Sequence, residues 1–399
     1  MEQFTFTDKS KKTFLGLIAI GVLSMVYGII DSSVSSDRIW ASALINGWYF
    51  FGMALAATFF LAIGAAAQAG WGVVFKRVFE AVSLFLPIGA ILLIIVFIGS
   101  SLHLNHIYHW MDPELYDETS PHFDKLIAGK QAFLNQPFWW ARTLIFLGGW
   151  IIYMNVHRKD SLAEDASGDT VTFFKKGRVK AAIFLVFFGY TSQVASWDWL
   201  MSIDTHWFST LYGWFIFSGF WVSGMTMTLL LALWLKSKGY LEQVNQSHLH
   251  DMGKWVFGIS FLWTYLWFSQ FMLIWYSNIP EEVTYFMVRI EDYRLTYFSM
   301  ILVNFVLPML LLMSKDMKRH AGVLTFVGVI ILFGHWVDAY FLVTPGVMKA
   351  NGAIGIVEIG MMLGYLGIFL FVVFSQLAKA PLMVQKNALL EESLYHHIN

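Results

Sequence analysis

Apolar runs of roughly 17–25 residues, each long enough to cross a hydrocarbon core of about 30 Å as a helix, recur along the chain. They fall at 14–30, 43–67, 78–99, 138–156, 180–201, 210–235, 254–276, 296–313, 321–342 and 353–378. Charged residues make up only 13% of the 399, and hydrophobic ones 57%, whereas a soluble domain carries about a quarter charged residues. The pattern predicts an all-α integral membrane protein, a single membrane domain over 1–399 with about ten transmembrane helices.

The basic residues of the connections test that count, because cytoplasmic loops collect Lys and Arg. Placing them with ten spans puts nineteen of the 26 on one side and six on the other, with Arg142 inside a span. No connection is out of order. Both termini are therefore expected in the cytoplasm, and an odd number of spans would scramble the alternation. The first run follows three lysines, but a second span comes at once and no small-residue cleavage site separates them, so an uncleaved helix is expected rather than a signal peptide. The chain has no cysteine, which excludes thiolate-bound iron–sulfur clusters, attached c-type haem and disulfides within it.

Two parts of the chain resemble each other. "NGWYFF" at Asn46–Phe51 recurs as "YGWFIF" at Tyr212–Phe217, and "FLGGWIIYMNVHRK" at Phe146–Lys159 lines up with "FVLPMLLLMSKDMK" at Phe305–Lys318. The matches keep their order, pairing spans 2 and 4 with spans 6 and 8. A duplication would give two four-helix bundles of the same orientation, over 43–201 (spans 2–5) and 210–342 (spans 6–9), with span 1 and the last helix, 353–378, flanking them.

A strongly polar side chain inside a span costs a few kcal/mol unless it faces protein or water. Counting about 1.5 Å per residue, Gln193, Ser196 and Asp198 on span 5, Gln270 on span 7, and His335 and Asp338 on span 9 all lie deep from the cytoplasmic end. Arg142 on span 4, Asn304 on span 8 and Glu358 on span 10 lie near the external end. The groups converge on the outer half. Asp198, between Trp197 and Trp199, could instead be wet in an interfacial aromatic belt. His335 and Asp338 share a helix face and form a candidate proton-handling pair. In the poorer inner half, Glu80 follows Lys76 by one turn, so it is either a paired interfacial charge or an inner point of proton uptake.

Bis-histidine haem needs facing imidazoles, and only His335 lies clearly within a span. His103, His106 and His109, in "SLHLNHIYHWMDPELYDE", belong to the external stretch 101–137, which also holds an amphipathic piece around 121–133. They suit a docking surface better than a metal site, since no matching ligand set accompanies them. GxxxG at Gly360–Gly364 marks close helix contact, within the chain or with another subunit.

Buried polar groups on the external half suit a quinone site, an ion or solute path, or a scaffold joining helices. The inner groups that a stand-alone transporter needs, and matched Gly or Pro breaks at the midplane, are missing from the sequence.

At "YLWFSQFMLIWYSNIPEE" (Tyr265–Glu282) and "SWDWLMSIDTHWFSTLYGW" (Ser196–Trp214) the chain resembles the polysulfide reductase membrane-subunit (NrfD-like) family. Within it, the likeness is to the membrane subunits of bacterial alternative complex III, a quinol:cytochrome c oxidoreductase, through nearly the whole chain. The resemblance implies two four-helix bundles in the inner membrane, a quinone such as menaquinone near the periplasmic face, and a proton path among the bundles' polar groups. It also implies partners: a sister quinol-binding subunit, a periplasmic iron–sulfur subunit and multihaem cytochrome c subunits, which would hold all clusters and haem. Those would dock on His103, His106, His109 and the Glu281–Glu282 segment. Membrane lipid is the remaining partner, and no nucleic acid is expected. Turnover in this chain, a pseudo-site with structural use only, and a proton route remain open at this level.

Overall fold

A computed structural model describes residues 3–397; the terminal residues 1–2 and 398–399, expected on the cytoplasmic side, lie outside the described residues. Of the described residues 78% are helical and none forms a strand, so the backbone bonds close within rods, as a bilayer requires. The helices are α1 Asp8–Ile30, α2 Ser36–Ala67, α3 Lys76–Ser83, α4 Leu86–Ser101, α5 Lys125–Ala128, α6 Gln136–Ser167, α7 Thr170–Trp199, α8 Tyr212–Ser237, α9 Gln246–Ser277, α10 Pro280–Glu291, α11 Arg294–Ile301, α12 Leu307–Leu312, α13 Ala321–Met348, α14 Ile356–Leu377 and α15 Leu390–Leu394. Nine helical segments among the described residues are long and apolar enough to cross a membrane. The tenth expected span, α6, has 32 residues, but Arg142 and the indoles of Trp139, Trp140 and Trp150 dilute its apolar stretch. The chain is a multi-pass membrane protein. Its lysine-rich side is called the basic face below.

Two spans are not single α-helices, and proline explains both. Pro87 sits in the first turn of α4, where its missing N–H is harmless, and the rod breaks between α3 and α4. Between α11 and α12 the backbone makes a π turn over Leu302–Val306, closed by the Leu307 N–H on the Leu302 carbonyl. Pro308 has no N–H to offer the Asn304 carbonyl four residues back, and a widened turn absorbs the lost bond.

At the centre α2 packs on α8, and both touch α7 and α13. The neighbours exchange in pairs: α2 meets α4 as α8 meets α9, and α6 meets α7 as α12 meets α13. The α1–α14 pair packs outside this core. A Cβ on Gly21 would lie 2.5 Å from the Gly364 Cα, so the small-residue stripe is used within the chain. On the basic face the segment after α14 crosses both bundles. Gln385 and Lys386 donate backbone N–H bonds to Asp165, Ser393 donates to the Trp71 carbonyl, and His396 meets Asp251 at 2.6 Å. On the opposite face the connection 102–135 is pinned by Asp124–His206 at 2.6 Å and by Lys130 on the Thr205 carbonyl at 2.5 Å. Its amphipathic piece around 121–133 holds the four-residue α5, followed by turns through 129–133.

Candidate functional site

In the first bundle Asp198 is completely buried. Arg142 of α6 grips it bidentately, Nε to Oδ2 and Nη2 to Oδ1, both at 2.7 Å. The guanidinium lies between the rings of Phe133 and Phe138, 4.1 and 4.2 Å from their centroids, and donates to the Phe133 carbonyl. Trp139 donates its indole N–H to the Asp198 carbonyl, while Trp199 donates to Thr143. The aspartate is therefore dry and paired, and the wet-belt reading of its neighbouring tryptophans is overturned for Trp199, which is fully buried. With both carboxylate oxygens taken by one planar cation, the site is electrically closed.

The second bundle is arranged differently. Asp338 and His335 of α13 are buried, 5% and 2% exposed. They face the same interior, but His335 Nδ1 stands 3.7 Å from Asp338 Oδ2, beyond hydrogen-bond reach. Asp338 instead accepts from the Trp263 indole of α9 at 3.0 Å, whose ring meets the His335 imidazole edge-on. Both His335 nitrogens are buried without a hydrogen-bond partner, as are both amide atoms of Asn304 and the Tyr340 hydroxyl. Asn304 points inward from the π turn; a Cβ on Gly334 would come 1.9 Å from its Oδ1, so only glycine lets it in. Burying such groups bare costs on the order of 1–3 kcal/mol each, and buried polar atoms of this kind ordinarily hold water.

Asp338 and Gln270 line a cavity of about 20 Å³ together with Tyr285, Arg289 and Tyr297. That is room for about one water, which needs roughly 10–15 Å³. A quinone ring does not fit it, ligand pockets starting near 300 Å³. Arg289 of α10 lies over the Tyr285 ring at 3.3 Å and donates to the carbonyls of Tyr285 and Phe341 and to Asp204. Burial opposes its charge, but Tyr285 and Asp204 hold it above its ordinary value. Burial pushes the Tyr285 phenol up to about 12, against the pull of Arg289. A fixed cation and a protonated phenol thus border the cavity.

Near the basic face, Glu80 is 1% exposed. Its expected partner Lys76 goes instead to Glu164, at 3.5 Å, and Glu80 is held by Arg77 at 2.7 Å and by Arg158 of α6. Arg77 also meets Asp165. The i,i+3 direction of α3 and its approach to α6 decide this, so Glu80 is a paired charge with partners other than Lys76. A cavity of about 130 Å³ opens beside the cluster, lined by Tyr153, His157, Asp160 and Lys180. Glu80 Oε1 and His157 Nε2 stand 3.7 Å apart, and neither has a hydrogen-bond partner. The inner half is richer in polar groups than the sequence suggested.

Compared with known protein families and with curated proteins, the chain matches none.

The remaining residues divide plainly. Gln193 is half-buried against Gly213 of α8, with Oε1 unpartnered. Ser196 returns its hydroxyl to the Ser192 carbonyl, and its role ends within its own helix. Glu358 forms a bidentate pair with Arg38, at 2.7 and 2.8 Å, and caps α14 through the Gly355 N–H; it joins α14 to α2, apart from either interior site. His103, His106 and His109 are exposed, His106 standing 3.6 Å from Asp37. No cluster of metal-ligating side chains occurs among the described residues. Glu281 and Glu282 lie in the first turn of α10, where acids complement the helix dipole. Sequence reasoning missed Arg289, Asp204, Tyr285, Trp263 and Arg158. Trp263 had a signal, seven residues before Gln270 on the same helix face; Arg289 and Asp204 meet across 85 positions and had none.

Proposed function

We propose that this chain is a membrane subunit of a respiratory quinol:cytochrome c oxidoreductase of the alternative complex III type, in the bacterial inner membrane with its basic face cytoplasmic. Its second bundle handles protons, and quinol is oxidised in the sister subunit. Electrons then pass to the periplasmic iron–sulfur subunit and the multihaem cytochromes. The family likeness of Tyr265–Glu282 and Ser196–Trp214 supports the assembly. The observation carrying the proton role is the buried Asp338, which is bonded to Trp263, lines a water-sized cavity and stands 3.7 Å from an imidazole whose two nitrogens have no hydrogen-bond partner. An imidazole and a carboxylate so placed can exchange a proton through a small rotation or one water. Because the cavity does not accept a quinone ring, no quinol step is assigned to this chain.

The test is Asp338→Asn in the assembled complex in proteoliposomes. Asparagine keeps an acceptor for Trp263 and removes the titrating group. Protons released per electron should fall while quinol-to-cytochrome electron flow continues. Unchanged stoichiometry in an intact assembly would favour the scaffold reading, which the bidentate Arg142–Asp198 pair already suits.

A further inference from the structure

A second large concavity lies outside both interior sites. It is a groove of about 1040 Å³ between the α1–α14 pair and the α8–α13 side of the second bundle. Its mouth is at the basic face, where Lys9 and Lys238 are the charged residues that line it; no carboxylate does. Both are exposed and neither forms an ion pair among the described residues, unlike Lys11, held by Asp8 at 3.0 Å, and Lys236, which donates to the Val244 carbonyl at 2.6 Å. Below the mouth the walls are apolar, with Leu230, Val329, Leu366 and Phe374 among them. The hydroxyls of Thr13, Ser237 and Thr325 near the mouth return to carbonyls of their own helices, and the lysines are its charged donors beside the hydroxyls of Thr5 and Tyr240.

The groove reaches Leu332, eleven residues into α13, or about 16 Å at the helical rise. That is about one leaflet of a hydrocarbon core roughly 30 Å thick. A membrane-crossing helix would need twice the depth, and an uncharged quinone would leave both ammonium groups unmatched. We propose that the groove binds one anionic diacyl phospholipid from the leaflet at the basic face, its phosphate between Lys9 and Lys238 and its acyl chains against α8, α13 and α14. Basic pockets between membrane helices bind such headgroups, and the volume lies at the top of the range of about 300–1000 Å³ for small-molecule sites.

The experiment is native mass spectrometry of the full chain in detergent, titrated with phosphatidylglycerol or with phosphatidylcholine of the same acyl chains. One phosphatidylglycerol should be retained with a preference of roughly thirtyfold, two lysines at about fivefold each. The pair Lys9→Gln with Lys238→Gln should abolish the preference, whereas Lys11→Gln with Lys12→Gln should leave it. Val329→Trp, which fills the groove from an exposed position, should release both lipids and keeps the test alive if the lysine variant does not fold. Equal retention of the two lipids by the wild-type chain would overturn the proposal. So would an effect no larger at Lys9 and Lys238 than at Lys11 and Lys12, or a quinone displaced by Val329→Trp in place of phospholipid.

Discussion

Each bundle sets an aspartate in its interior, Asp198 on α7 and Asp338 on α13, and treats it in an opposite way. In the first, Asp198 is neutralised by Arg142, which reaches across from α6 and engages both carboxylate oxygens through Nε and Nη2. In the second, Asp338 has a neutral indole donor and a small cavity. When the similar segments Phe146–Lys159 and Phe305–Lys318 are aligned, the place of Arg142, four residues before the first, is taken by Ile301, four before the second. The π turn begins at the next residue. Where the first bundle sets a cation directly on its aspartate, the second has an inward-turned amide and an unpartnered histidine nearby. A closed ion pair holds a structure; unfilled hydrogen-bond capacity of this kind admits water and protons.

The largest expected effect is at the closed site. Arg142→Met should destabilise the protein by about 3–5 kcal/mol, because it leaves a buried carboxylate unpaired, and thermal unfolding in detergent measures it. Replacing both partners, Arg142→Met with Asp198→Leu, should recover most of that loss, since an apolar pair removes the stranded charge as well. If the double variant is no better than the single one, Asp198 has a further partner and the two bundles differ less than their geometry suggests.

At the open site the sign should reverse. Asn304→Leu removes two amide atoms that the protein leaves unpartnered and keeps the branched outline of the side chain, so stability should rise by about 1 kcal/mol, while proton release by the complex falls. Such a gain in stability at the expense of activity is typical of polar groups kept for function. A loss of stability would mean that ordered water already satisfies Asn304 strongly, making the second site structural too.

The fold was legible because its signal is written in every span. Apolar length and lysine alternation need no knowledge of partners, and Pro87 and Pro308 mark where two rods break. The burial of Asp198, Gln270, His335 and Asp338 was legible for a related reason, the cost of polar groups in lipid. Pairing was not. Arg142 and Asp198 were both visible, 56 positions apart, yet nothing in their spacing joins them. Glu80 shows the converse error: Lys76 stood at a favourable spacing, but α3 turns Arg77 inward and α6 supplies Arg158. Local periodicity reports which face is buried; the partner across the interface is chosen by packing between distant segments.

The smallest expected effect concerns what covers the two sites. Over the second bundle lies α10, whose Arg289 stays charged at any ordinary pH, whereas the cover of the first bundle depends on a carboxylate. Burial works against the charge of Asp124, but the Ile127 N–H and the His206 ring outweigh it and hold the group below its ordinary 3.8. A group depressed in the folded state contributes its stabilisation fully above the ordinary value and loses it as pH falls through the folded one. The 102–135 connection should therefore resist pepsin down to about pH 4 and become susceptible only below that, near residues 124–131. Asp124→Asn should remove the pH step, leaving cleavage to follow the protease's own activity. Susceptibility that begins well above pH 4 would place the titrating group elsewhere and detach the cover's behaviour from Asp124.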